Sequence, residues 1–177
     1  PLEHSSDILS DAGWQVSFLA VESLGSRDLQ FPDHLNARVR RLQCRPTGWL
    51  QKLYYLVFMG WAIHWAARLR PSWIYASDLL SCPVALLLSH FTHVKVVYHE
   101  HDSPSATKES TNSVFMRWVS WSRCQLARRA DLCILPNEQR ARVFGEMTGR
   151  EALTVWNCPT IEAAAPPRLP HDCNTLW

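Results

Sequence analysis

The sequence predicts an α/β domain built on a doubly wound parallel sheet, with helices on both faces. Three observations carry that expectation. Short β-branched and aromatic runs alternate several times with longer apolar or amphipathic stretches, which is the order of strands joined by helical crossovers. At 177 residues the chain is long enough for one domain with a real core and short for two. One strand-like run, Lys95-Val96-Val97-Tyr98, breaks into four ionisable residues, His99, Glu100, His101 and Asp102, and then a Ser-Pro turn. Ligands of open α/β sheets sit at the carboxyl ends of the strands, so that cluster is a site candidate. The competing reading is a solvated loop that happens to carry two histidines.

In chain order, Ile8, Leu9 and Ala12 share one helical face, and Gly13 is a natural helix stop. Residues 14–21 alternate Val16, Phe18 and Ala20 against Gln15 and Ser17, the period of a strand. Residues 22–36 read as loop, and residues 37–42, where arginine alternates with small or apolar residues, as a half-exposed strand. Residues 48–70 form a long apolar helix that Pro71 ends. Residues 73–76 are a short buried strand ending in Ser77-Asp78, and residues 79–91 a helix with Pro83 in its first turn. The strand at 94–98 follows, then a polar loop at 103–112. Residues 113–130 are a helix whose basic end (Arg117, Arg123, Arg128, Arg129) complements its dipole. A strand at 131–135, a helix at 137–147 and a strand at 152–156 complete the pattern, and the composition then becomes linker-like.

The formal net charge is only +2, so no global basic field argues for nucleic acid. The six cysteines stand apart at 44, 82, 124, 133, 158 and 173 without a Cys-x-x-Cys pair. That spacing suits reduced thiols in the cytoplasm better than a zinc ribbon or a disulfide framework. No secretory signal opens the sequence.

No Gly-x-Gly-x-x-Gly, Walker or Gly-x-Ser-x-Gly motif occurs, which disfavours a self-contained dinucleotide site, a P-loop and an α/β-hydrolase. His90 and His93 precede the strand that His99 and His101 follow. At about 3.3 Å per strand residue the two pairs are held apart, so no metal is expected. On an extended segment His99 and His101 point to one side and Glu100 to the other. A histidine beside a carboxylate can act as a base or support developing charge near neutral pH. Asp78, at the end of the preceding parallel strand, could line the same crevice; the alternative is an N-cap for the helix that begins at Leu79.

Several stretches together resemble the N-terminal domain of a GT-B glycosyltransferase of the large retaining family four. Ala12-Gly13-Trp14-Gln15-Val16 resembles the family's helix-to-strand turn, and residues 73–80 its strand ending in a His-Asp-Leu type segment. Val96-Val97-Tyr98-His99-Glu100-His101-Asp102 resembles the strand whose end usually reads Tyr-Asp-x-His-Glu. Arg128-Arg129-Ala130-Asp131 and Val155-Trp156-Asn157-Cys158-Pro159 resemble two later segments in the family's order. The resemblance spans residues 5–160. It implies a Rossmann-like half of a two-domain enzyme that transfers a sugar from a nucleotide-sugar donor, a co-substrate bound mainly by a C-terminal domain. It implies no cofactor. His101 matches the family histidine beside the reacting sugar and is the expected catalytic residue. His99, Glu100, Asp102 and Asp78 are the expected substrate contacts.

Set against the family, the first strand with its glycine-containing loop and the donor-binding domain are not in this sequence. The expectation is therefore a chain truncated at both ends, with residues 1–160 a partial N-terminal domain and 161–177 a linker. Such a chain needs its C-terminal domain, or a separate partner chain, for transfer. The acceptor is a sugar or a lipid-linked sugar. The apolar stretch 49–69, preceded by Arg38, Arg40, Arg41 and Arg45 and containing Lys52, suits peripheral contact with the inner membrane face of a cytoplasmic protein. The alternatives are a non-catalytic domain that binds a sugar, a lipid or a partner, and, more weakly, a histidine-metal hydrolase.

Overall fold

The computed structural model describes residues 2–22, 35–43, 50–101 and 113–156. Within them the order is α1 (Leu2–Asp11), β1 (Val16–Glu22), β2 (Ala37–Gln43), α2 (Leu50–Leu69), β3 (Trp73–Ser77), α3 (Cys82–Phe91), β4 (Lys95–His99), α4 (Val114–Arg129), β5 (Leu132–Leu135), α5 (Glu138–Thr148) and β6 (Leu153–Thr154). A single 3₁₀ turn, Leu79–Ser81, precedes α3. This is the α/β, Rossmann-like alternation that the sequence predicts, and every strand pair is parallel.

The helix ends follow from local chemistry. Gly13, at φ 85°, closes α1 while the Trp14 amide reaches back to the Leu9 carbonyl and the Gly13 amide to that of Ser10. That pair of bonds satisfies carbonyls the helix end leaves open. Ser113 caps α4 by accepting from the Met116 amide, and Asn137 caps α5 by accepting from that of Arg140. Pro83 sits in the first turn of α3, where its missing N–H costs nothing.

The strands form two sheets among the described residues, a β1–β2 pair and a four-stranded β3-β4-β5-β6 sheet. Sequence periodicity alone does not reveal that division, because each strand carries the same alternating signal whichever neighbour it takes. In the larger sheet the strand order follows the chain order, so right-handed crossovers bring α3, α4 and α5 to a common face. The main core lies there. Ala76, Val96, Tyr98, Cys133 and Leu135 from the strands meet Cys82, Ala85, Leu126, Ala127 and Phe144 from the helices. The opposite face, with Tyr75, Val97, His99, Leu132 and Ile134, is half-buried or exposed. A second cluster joins Met59 and Ala62 of α2 to Val84 and Leu88 of α3, with Leu19 of β1 packed against it.

Cys82, Cys124 and Cys133 are free thiols, and burial pushes the Cys82 thiol up to about 12. The linker expected at 161–177 lies outside the described residues.

Candidate functional site

The site is built where β3 and β4 end side by side. In their register Ser77 stands opposite His99, so the residues that follow, Asp78 on one strand and Glu100 and His101 on the other, emerge together. The amide of Asp78 donates to the carbonyl of His99 (3.0 Å), which carries the pairing one step past the strands.

Asp78 does not act through the N-cap contact that the sequence allows. Its carboxylate makes no capping bond to the turn that follows. Instead Oδ1 accepts from the backbone amide of His101 at 3.0 Å. Asp78 also holds φ 63° and ψ 174°, a region that side chains other than glycine's rarely occupy. Its carbonyl receives both the amide and the hydroxyl of Ser81, so both sides of the residue are fixed.

Strand alternation separates the three residues after Tyr98 as expected. His99 and His101 lie on the half-open face with ring centroids 3.9 Å apart. His99 Nδ1 shares a hydrogen bond with the Tyr75 hydroxyl on the neighbouring strand, with the two rings edge to face. Burial first, and the adjoining His101 second, lower the His99 pKa from 6.5 to about 4. The ring is therefore neutral at pH 7.

His101 is clamped through its backbone, its amide by Asp78 and its carbonyl by Nη1 of Arg140 at 2.9 Å. Its Nε2 is buried and has no hydrogen-bond partner among the described residues. A buried polar atom left unpaired is uncommon, and a ligand is one way to satisfy it.

Glu100 faces the other way and is fully buried. Arg123 of α4 grips it with two bonds, Nε to Oε2 at 2.6 Å and Nη2 to Oε1 at 2.9 Å. The Tyr98 hydroxyl donates to Oε2 at 2.6 Å. Burial works against the charge on Arg123, but the bonds and charge of Glu100 outweigh it and keep the guanidinium protonated. Phe144 completes this floor, stacked on Tyr98 and lying under the Arg123 guanidinium. The expectation of a substrate contact at Glu100 is corrected accordingly. A carboxylate with no exposed surface and its acceptor sites occupied braces the strand end from beneath. Arg123 is likewise no part of the helix's basic end; only Arg128 and Arg129 stand in the last turn.

Asp102, the remaining expected contact, lies outside the described residues. Tyr75, Arg140 and Arg123 are the residues that sequence reasoning missed. Tyr75 and Arg140 left no signal, since their partners come from other strands and loops. Arg123 left one. It falls in the apolar stripe of α4 with Val119, Ser122, Leu126 and Ala127 all buried, and a charge in such a stripe requires a buried partner. Among the described residues no three His, Cys, Asp or Glu side chains converge on a common metal position.

A parallel α/β sheet with paired histidines, a strained aspartate and an unsatisfied imidazole nitrogen at its carboxyl end is a candidate ligand site of the open α/β-sheet class. Residues 3–168 match the family described as the glycosyl transferase 4-like domain, and the chain belongs to that family. No curated protein matches the chain.

Proposed function

We propose that this domain serves the acceptor side of a retaining glycosyl transfer from a nucleotide-sugar donor, the donor being held mainly by a second domain or partner chain. The observation that carries the reading is His101. Among the described residues its Nε2 is buried and unpaired just past β4, beside the neutral ring of His99. A sugar hydroxyl both donates and accepts, so it can satisfy the unpaired nitrogen whichever tautomer the imidazole holds.

In this mechanism the transition state resembles an oxocarbenium ion. The protein's tasks are to position the acceptor hydroxyl and to support the leaving diphosphate electrostatically. His101 touches the reacting sugar. Asp78 and Arg140 hold the backbone of His101, and Tyr75 orients the ring of His99. A lipid-linked acceptor at a membrane surface agrees with the basic and apolar composition of residues 38–69.

The test is transfer of labelled sugar from a panel of nucleotide-sugar donors into a membrane extract. The chain is supplied alone and together with the donor-binding half that the gene or its neighbours encode. Label should move only with both halves present. His101→Ala should then lower the rate by about 100-fold or more, within the range for a positioned acid–base group, without altering the fold. Absence of transfer with every donor, or full activity of His101→Ala, refutes the reading.

A further inference from the structure

Helix α2 is apolar on every side but enclosed on only one. Met59 and Ala62 are buried, with Tyr55, Phe58, Trp61 and Ala66 packed around them. The opposite row begins with Leu50, Leu53, Leu56 and Val57, which are 44, 50, 54 and 55% exposed. Gly60, His64 and Ala67, also exposed, continue the same arc, since each residue turns the helix by about 100°. An outward face of this kind on a helix that is hydrophobic all round is unusual for a surface in water.

The charge along this part of the sequence is one-sided. Between Ala37 and Ser77 lie seven of the chain's 18 Lys and Arg and none of its 16 Asp and Glu. The fold brings strand β2 to the helix, where the Arg40 guanidinium stacks over the Trp65 ring at 3.9 Å. Arg38 on β2 and Lys52 on the first turns of α2 are exposed. A second copy of the chain docked on this row would bring like charges together. An anionic bilayer would accept both the aliphatic row and the cations. No described helix is long and apolar enough to cross a membrane, so a helix in contact with lipid lies along its surface.

We propose that the outward row of α2, together with the exposed Arg38 and Lys52, is the surface on which this domain docks to anionic lipid bilayers. The helix lies in the plane of the interface, Leu50, Leu53, Leu56 and Val57 enter the boundary of the acyl chains, and the cations meet the headgroups. This deepens the reading of a membrane-surface acceptor by naming the surface and the lipid charge. It draws its biological purpose from that reading.

The experiment is flotation of the chain with phosphatidylcholine vesicles, with and without about one third phosphatidylglycerol. The chain should float with the anionic vesicles, and raised salt should weaken binding. Leu53→Gln/Val57→Gln and Arg38→Glu/Lys52→Glu should each lower the bound fraction about fivefold or more while their circular dichroism melts stay at the wild-type temperature. All of these side chains are exposed or at the rim, so the fold should tolerate the changes. Four outcomes overturn the proposal: no flotation with anionic vesicles, equal flotation with neutral ones, undiminished binding by Leu53→Gln/Val57→Gln, or a dimer by light scattering that this variant abolishes. Flotation needs no turnover, so its failure leaves the transfer reading standing, and failure of transfer leaves the flotation result intact.

Discussion

The carboxylate of Asp78 accepts the backbone amide of His101 at 3.0 Å, across the ends of two adjacent parallel strands. This single bond ties the strained residue after β3 to the histidine after β4. A backbone conformation at φ 63° costs about 1–3 kcal/mol in a residue with a side chain, and it persists only where its surroundings hold it. Here the compensation is the link to His101 together with the Ser81 contacts to the Asp78 carbonyl.

Asp78→Ala should therefore destabilise the fold by about 2 kcal/mol, the scale of a hydrogen bond to a charged acceptor. It should also speed hydrogen exchange at the His101 amide. Asp78→Asn keeps an acceptor oxygen and strains the backbone no more than aspartate does, so its loss should stay below about 1 kcal/mol. Urea unfolding and amide exchange read the two effects separately. Wild-type protection of the His101 amide in Asp78→Ala would show that the bond does not hold the loop.

Beneath the site the Glu100–Arg123 pair is closed off from water, which makes it costly to break and cheap to replace as a whole. Arg123→Ala leaves a buried carboxylate uncompensated and should cost about 3–5 kcal/mol. The triple change Tyr98→Phe, Glu100→Leu, Arg123→Met removes the ion pair and the tyrosine hydroxyl together and should recover most of that loss. Denaturant midpoints of the two variants decide the matter. Equal destabilisation would mean that the geometry of the network, and not its charge balance, supports β4.

Acid should weaken the fold through His99. Its pKa is about 4 in the folded chain, against about 6.5 when unfolded, so between those values the unfolded state binds the extra proton. Stability is then lost as pH falls from 6.5 toward 4, and the loss levels off below the folded value. The groups facing the ring are Tyr75, His101 and Asp78. His99→Gln should flatten this part of the stability–pH curve. A curve of unchanged slope in that variant would assign the acid sensitivity to another group.

Much of the architecture was legible because strand and helix signals are local. The β-branched runs, Gly13, Pro83, Ser113 and Asn137 act within a few residues of themselves, and the elements begin and end near them. The two-sided display of His99, Glu100 and His101 was legible for the same reason, since alternation on an extended chain needs no partner. That the ends of β3 and β4 emerge together followed from the parallel order of the strands.

What the sequence could not determine is which of those displayed groups meets solvent and which meets protein. Glu100 carries the same charge as Asp78, yet one is locked to Arg123 on α4 and the other reaches a backbone amide 23 residues away. Tyr75 and Arg140 join the site only because strand pairing and the start of α5 bring them there. Residue type and spacing set the secondary structure and the side of the strand. Burial, pairing and protonation depend on neighbours distant in sequence, and only tertiary structure brings those together.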